Sequence, residues 1–281
     1  MIINHNMTAV FASRQLSNTE RYVQKSIERL ASGERINRAG DDAAGLAISE
    51  KMRTQIRGLE SARKNALDGL SFVQVAESYL SEINDVLQRV RELSVQAANG
   101  IYSNQDRTLI QVEVSQLVEE VDRISQSAQF NRMNMLTGKF AHSSSTGSMW
   151  FHVGANKGQR IRAYIQEVSS ASLSLMDEEG EKISVSTVAG SNDNIGILDN
   201  ALDLVNKQRA DLGGYSNRME QTVRALAMAH ENIMAAESRI RDTDMAVEMV
   251  NNVRLQILMH SGTAMLVQAN LHPESVLKLI G

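Results

Sequence analysis

Three groups of residues have types and spacings that could do chemistry. Asp41 and Asp42 set two carboxylates side by side, the raw material of acid–base work. No partner group lies near them, and the apolar pattern of a long helix begins at Ala43. Negative charge at a helix start suits the macrodipole, and that is the better reading of the pair. The six histidines, at positions 5, 142, 152, 230, 260 and 272, show no ligand spacing. His230 falls on a helical seam and reads as a packed or hydrogen-bonded core histidine rather than a ligand. Ser143, Ser144, Ser145 and Thr146 could accept modification, though a plain flexible turn is the better reading.

Larger chemical signatures are missing from the sequence. With no cysteine, disulfides, thiolate catalysis and Cys-based zinc sites are excluded. No Gly-rich phosphate loop, HExxH, GxSxG or DxDxDG calcium loop occurs. No cofactor or metal is expected, and the expectation is not an enzyme. An active site hidden in residues 130–192 would need a pocket that so short a stretch scarcely supplies.

The elements have to explain the chain instead. Residues 43–99 read as one helix. Leu59, Ala66, Leu70, Val73, Leu80, Ile83, Leu87 and Val90 recur in steps of 3, 4 or 7, a stripe that needs a helical partner. Gly58 and Gly69 cost about 1 kcal/mol each against alanine, which so long a helix can absorb. At 1.5 Å per residue such a rod is about 80 Å long. A first helix spans 5–31, with Leu16, Val23, Ile27 and Leu30 on one stripe. A polar linker, 32–42, follows, punctuated by Gly33 and Gly40. After Asn99-Gly100 a third helix, about 107–129, carries a heptad of Ile110, Val114, Leu117, Val121, Ile124 and Ala128. The short connection makes it antiparallel to the long helix.

Residues 130–192 differ. Ile161, Ala163 and Ile165 alternate with Arg160, Arg162 and Tyr164 and read as a strand after a glycine turn at 154–158. Two more short strand-like runs are expected around Glu179-Gly180. From Asp193 helix returns. Leu198, Leu202, Val205, Leu212, Met219, Val223, Leu226, Ile233, Ile240 and Val247 share one seam frame with Arg209, Ser216, His230, Glu237 and Asp244. Helix continues less regularly to about Asn270, and "HPESVLKLIG" closes the chain.

The fold class is therefore mainly α: an elongated antiparallel helical bundle, with coiled-coil rods from both chain ends and a small β element mid-chain. Residues 43–250 form a rod domain of three long helices with a β insertion at about 138–190. Residues 1–42 and 251–281 form a second, thinner pair. Two short helices bury little apolar surface, which points to self-assembly. Composition agrees. One proline and 4% aromatic residues suit long helices and narrow seams, and the 14 methionines read as seam fillers.

Net charge is −4, which makes no general case for nucleic acid. Its distribution is uneven. Residues 1–65 carry 11 Lys/Arg and 7 Asp/Glu, whereas 66–130 carry 4 and 10. A basic start followed by an acidic segment would suit head-to-tail contact between copies, although solvated helix faces explain it as well. No apolar run approaches the ~18 residues of a membrane span, so no membrane insertion is expected. The opening "MIINHNMTAVFASRQL" shows no cleaved secretory signal.

Several stretches resemble a known family. "SIERLASGERINRAGDDAAGLAISEKMRTQIRGL" (26–59), "LQRVRELSVQAANG" (87–100) and "AQFNRMNMLTG" (128–138) resemble the amino-terminal signature of bacterial flagellin. "AAESRIRDTDMAVEMV" (235–250) and "MLVQANLHPESVLKLI" (265–280) resemble its carboxy-terminal signature. "MIINHNMTA" and "MWFHVGANKGQRIRAYI" look more particularly like the filament core type of spirochaetes.

The resemblance implies a structural subunit that polymerises into a flagellar filament for motility. Residues 1–42 and 251–281 would line its innermost tube. The chain would be exported unfolded by the flagellar type III apparatus. It implies as partners further copies of the chain, sheath proteins, hook-associated junction and cap proteins and an export chaperone, and it implies a periplasmic flagellum as the location. A junction or cap protein of low copy number is the alternative. Gln88 to Leu93 and Glu113 match positions that in some flagellins meet a Toll-like receptor. Here Arg89, Leu93 and Glu113 are carried as subunit-interface residues first. Leu16, Val23, Ile27, Leu30, Met265, Leu266, Val276 and Leu279 are expected to bury against neighbours only on assembly. Seam residues such as Leu80, Leu87, Leu117, Val121, Leu212 and Leu226 hold the rod.

Overall fold

A computed structural model describes residues 5–142, 147–176 and 183–280, with side chains through 272 and at 274. The expected modification site at 143–146, the turn at 179–180 and the side chains of Val276 and Leu279 lie outside the described residues. Among the described residues five helices and two small hairpins occur: α1 (Met7–Ser32), α2 (Ala43–Ala97), α3 (Asn104–Ser127), β1 (Gln129–Phe130), β2 (Met133–Asn134), β3 (Met149–His152), β4 (Arg160–Ala163), α4 (Val188–Arg241) and α5 (Met245–Ile280).

Local chemistry sets the boundaries. Asn6 caps α1 by accepting from the Ala9 N–H at 3.1 Å. Gly33, at φ 72°, closes it with its N–H on the Arg29 carbonyl at 2.8 Å, the left-handed stop that glycine makes without strain. Asp42 caps α2 by accepting from the Gly45 N–H at 2.9 Å. Asp41 does something else. Its carboxylate accepts from the Asn37 and Arg38 N–H groups and pairs with Lys25 at 2.5 Å, so it folds the linker back onto α1 rather than charging a helix start. The hydrogen bond from Lys25 holds its pKa below the usual aspartate value. The third helix begins three residues earlier than expected, because Ser103 and Asp106 form a capping box.

The chain divides into two compact units, residues 1–56 with 231–281, and residues 57–230; α2 and α4 run through both. In the second unit α2 and α4 lie antiparallel, joined by Arg91–Asp199 at 2.6 Å and Arg209–Glu77 at 2.9 Å. α3 lies antiparallel to α2, as Arg89–Glu113 at 2.8 Å records. The seam is close to the one read from the sequence: Leu80, Ile83, Leu87, Val90, Val114, Val121, Leu198, Val205 and Leu212 are all fully buried. Leu117 is only half-buried and Val118 is buried in its place, whereas Val114, Val121, Ile124 and Ala128 are buried where the heptad put them. Arg209, a polar member of the seam frame, is accounted for by its ion pair with Glu77.

β3 and β4 pair antiparallel, with Trp150 opposite Arg162 and Phe151 opposite Ile161. The alternation in β4 is as expected: Ile161, Ala163 and Ile165 are buried while Arg160 and Arg162 are exposed. Phe151 points inward with Phe130 and Phe140, all three ringed about the buried Phe72 at 5.5–6.1 Å. The hairpin explains two glycines of α2. A Cβ on Gly69 would lie 2.9 Å from the Phe151 ring and 3.0 Å from Met219 Sδ, and one on Gly58 would lie 2.9 Å from the Ala155 Cβ. These glycines are required for close approach, not merely tolerated.

The β1–β2 hairpin was not legible. Its turn residues Asn131 and Arg132 have φ of 49° and 63°, the geometry of a two-residue turn for which Asn-Gly is the usual signal. The strand-like runs expected near 171–188 are not strands where they are described. Residues 170–174 turn, and Ile183 returns to donate to the Leu175 carbonyl at 3.1 Å.

Candidate interaction surfaces

In the first unit α1 and α5 form an antiparallel pair. Asn6 donates to the Ala269 carbonyl at 2.8 Å near one end, and Ser26 donates to Glu248 at 2.7 Å near the other. The single seam expected from about 193 to 250 is broken at 242–244. There the two linkers clasp each other: Arg35 N–H donates to the Arg241 carbonyl at 2.6 Å and Thr243 N–H to the Gly33 carbonyl at 3.0 Å. Asp244 then caps α5 by accepting from Ala246 and Val247. The seam frame does not survive the break: Val247, expected on it, is exposed beyond 244, and Glu248 is buried instead.

An ion cluster fastens the clasp. Glu34 receives Arg53 at 2.6 Å and Arg241 at 2.9 Å; Arg53 also meets Glu237 at 2.9 Å, and Arg241 meets Glu50 at 2.6 Å. Glu237, another polar member of the seam frame, is thus a buried acceptor. Burial alone would raise the Glu34 pKa, but hydrogen bonds from Arg53 and Arg241 outweigh it and hold the carboxyl below its usual range. The sequence reading missed the cluster, since its members are far apart in the chain.

Little of the α1–α5 pair is covered. In α1 only Thr19, Val23 and Ser26 are buried. α5 is apolar around much of its circumference: Val250, Val253, Ile257, Leu258, Met265 and Val267 are all exposed, Met265 at 65%. Phe11 on α1 is 62% exposed. A helix apolar all round belongs in a buried setting, and one antiparallel neighbour covers a single stripe.

The residues expected to bury only on assembly therefore divide. Ile27 and Met265 are exposed, and Leu16, Leu30 and Leu266 are half-buried. Val23 is already buried against α5 within the chain, so its burial needs no neighbouring copy. Leu93 is likewise inside. It follows Leu87 and Val90 on the core stripe of α2 and joins the central apolar cluster, leaving no surface for a partner. Arg89 and Glu113 do lie at the surface, paired across α2 and α3. Among the described residues no helix is long and apolar enough to cross a membrane.

The α2–α3 turn holds a buried arginine that the sequence reading also missed. Arg107 donates to the carbonyls of Ala97 at 2.9 Å and Asn99 at 3.1 Å and to Asn104 at 3.2 Å. It satisfies the carbonyls that the end of α2 leaves unpaired.

A family model for the bacterial flagellin N-terminal helical region matches residues 3–141, and one for the bacterial flagellin C-terminal helical region matches 195–280. The chain belongs to the bacterial flagellin family. More particularly, it is 61% identical to the flagellar filament 33 kDa core protein of Treponema phagedenis and 59% identical to flagellin FlaB2 of Treponema pallidum (strain Nichols), with all of each chain covered. A solved structure of a putative flagellar hook-associated protein from Vibrio parahaemolyticus shares the fold at 12% identity, with a TM-score of 0.58 over 72% of this chain and all of that one.

Proposed function

We infer that this chain is the structural subunit of a bacterial flagellar filament, which builds a helical homopolymer for motility. One observation carries the mechanism: α5 is apolar around much of its circumference, and although α1 packs along it, Val250, Val253, Ile257, Leu258, Met265 and Val267 stay exposed among the described residues. Burying that surface favours assembly by about 25 cal/mol per Å² of apolar area. Residues 1–42 and 251–281 supply the inner tube. Leu16, Ile27, Leu30, Met265, Leu266, Val276 and Leu279 pack against neighbouring copies there. Val23 holds α1 to α5, and Leu93 supports from beneath the surface on which Arg89 and Glu113 meet an adjacent subunit.

Full-length identity of 61% and 59% to spirochaete flagellar proteins supports a periplasmic flagellum, and membership of the flagellin family is the ground for proposing sheath, junction, cap and export-chaperone partners. The test is sedimentation and negative-stain electron microscopy of the full chain and of a chain lacking residues 268–281, each with and without sheared filament seeds. The full chain is expected to form long uniform filaments. The truncation is expected to stay helical and fail to polymerise. Filaments from the truncation would refute the terminal mechanism, and a full chain that binds only seed tips would indicate a low-copy junction or cap role instead.

A further inference from the structure

The second unit carries a charge arrangement that polymerisation does not use in the account above. Residues 123–166 contain six Lys/Arg, two His and no Asp or Glu, in a chain whose net charge is −4. Their strand register gathers part of this charge on one face. Trp150 pairs with Arg162 and His152 with Arg160, and these four side chains alternate with the half-buried Phe151 and the buried Ile161. The Arg160 guanidinium carbon lies 3.7 Å from the Trp150 ring centre and that of Arg162 lies 3.8 Å from it. Two guanidiniums that close would overlap on one side, so each covers a different face of the indole. Arg162 also reaches the Tyr164 hydroxyl at 3.4 Å, and Tyr164 stacks on His142 at 4.8 Å. The groove at the hairpin's flank meets α4 at Asn217, Arg218, Gln221 and Thr222, none of them acidic.

This geometry excludes some ligands and fits others. Both faces of the indole are occupied, so it offers no platform for a sugar ring or a nucleobase. What remains available is the outer edge of each guanidinium. Those edges are pre-set by stacking, and among the described residues neither meets a carboxylate. A planar N–H fork held in this way binds carboxylates bidentately at reduced entropic cost. Of the acids on the helices of this unit, Glu77, Glu113, Glu120 and Asp199 are each already paired with an arginine. Asp68, Glu82, Asp85, Asp203 and Asp211 are exposed, so a second copy of the chain is the competing occupant, and loss of the peptide signal in the filament but not in the monomer would identify it.

We propose that the exposed face of the β3–β4 hairpin, built on the Arg160–Trp150–Arg162 sandwich, is a docking surface for an acidic segment of a second, different protein. This rests on the filament reading only in that the hairpin face must stay outside subunit contacts.

Trp150 is the sole tryptophan, so its emission reports on the site directly. Full-length chain, as monomer and as filament, is titrated with a ten-residue Asp/Glu peptide and with a Ser/Gly peptide of equal length. A saturable change in emission with the acidic peptide only, weakened by added salt, is expected for both states. The Arg160→Gln/Arg162→Gln double variant should weaken it about tenfold or more, which is about 1.4 kcal/mol. Arg160→Lys/Arg162→Lys, which keeps the charge and loses the planar fork, should weaken it too. Binding that survives the glutamine variant, or is matched by the Ser/Gly peptide, overturns the proposal. So does a heparin fragment or an anionic phospholipid vesicle that saturates the signal at lower charge concentration than the peptide. Pelleting of each variant is scored separately. The glutamine variant is expected to pellet like the unsubstituted chain while losing the signal. An unsubstituted chain that forms filaments yet gives no saturable response to the acidic peptide sinks this proposal alone, and one that binds the peptide but forms no filaments sinks the assembly reading alone.

Discussion

At the scale of single residues, glycine identity is decided by neighbours rather than by helix propensity. Gly69 and Gly214 both sit inside long helices, and propensity alone would favour alanine at either by about 1 kcal/mol. A Cβ at Gly69 collides with Phe151 and Met219, whereas at Gly214 it meets open space. Gly69→Ala is therefore expected to lower unfolding stability by a net ~1 kcal/mol, overpacking of about 1–3 kcal/mol outweighing the propensity gain. Gly214→Ala is expected to raise it by up to ~1 kcal/mol. Urea unfolding followed by circular dichroism would show opposite shifts in midpoint, and a shared sign would refute the packing account. The sequence revealed Gly69 as a cost and not as a requirement, because Phe151 and Met219 reach it from distant parts of the chain. Arg107 hid for a similar reason: its partners are backbone carbonyls, which have no sequence signature.

At the scale of elements, side-chain periodicity located the helices, and capping chemistry corrected their ends. The apolar stripes of α2 and α4 were legible because burial repeats at the helical period over many turns. The stop between α4 and α5 was not, since it depends on Gly33 and Arg35 of a linker far away in sequence. Asp244→Ala should cost about 1 kcal/mol by removing the cap on α5, seen as faster amide exchange at Ala246 and Val247. The ion cluster at the same junction makes the first unit acid-sensitive. Glu34 has a folded-state pKa below its unfolded value of about 4.3. The unfolded state then binds the proton more readily, so the stabilisation is present above pH ~4.3 and is lost as pH falls through the folded value. Glu34→Gln should flatten that acid-side loss in thermal melts of the monomer, at the expense of lower stability at neutral pH. A wild-type melting temperature that does not fall between pH 5 and 3 would contradict the linkage.

At the scale of the molecule, the two units differ in what they can bury alone. The second has a continuous core running from Phe72 through Leu80, Leu87 and Val121 to Leu198 and Leu212. In the first, α1 and α5 share one seam and leave Phe11, Ile27, Ile257 and Met265 in solvent. Local stability follows buried contact, so opening should be far easier in α1 and α5 than in the core turns of α2. In the monomer, amides of residues 8–30 and 246–270 are expected to exchange orders of magnitude faster than those of residues 80–90. In the filament the two groups should converge, because neighbouring copies cover the apolar faces that the monomer leaves wet. Heating should repeat the pattern: two transitions for the monomer, the first lost in a truncation lacking 268–281, and one for the polymer. Equal protection of α1, α5 and the α2 core in the monomer would mean that the terminal pair is already stable, and burial of its apolar surface could not then be what drives assembly.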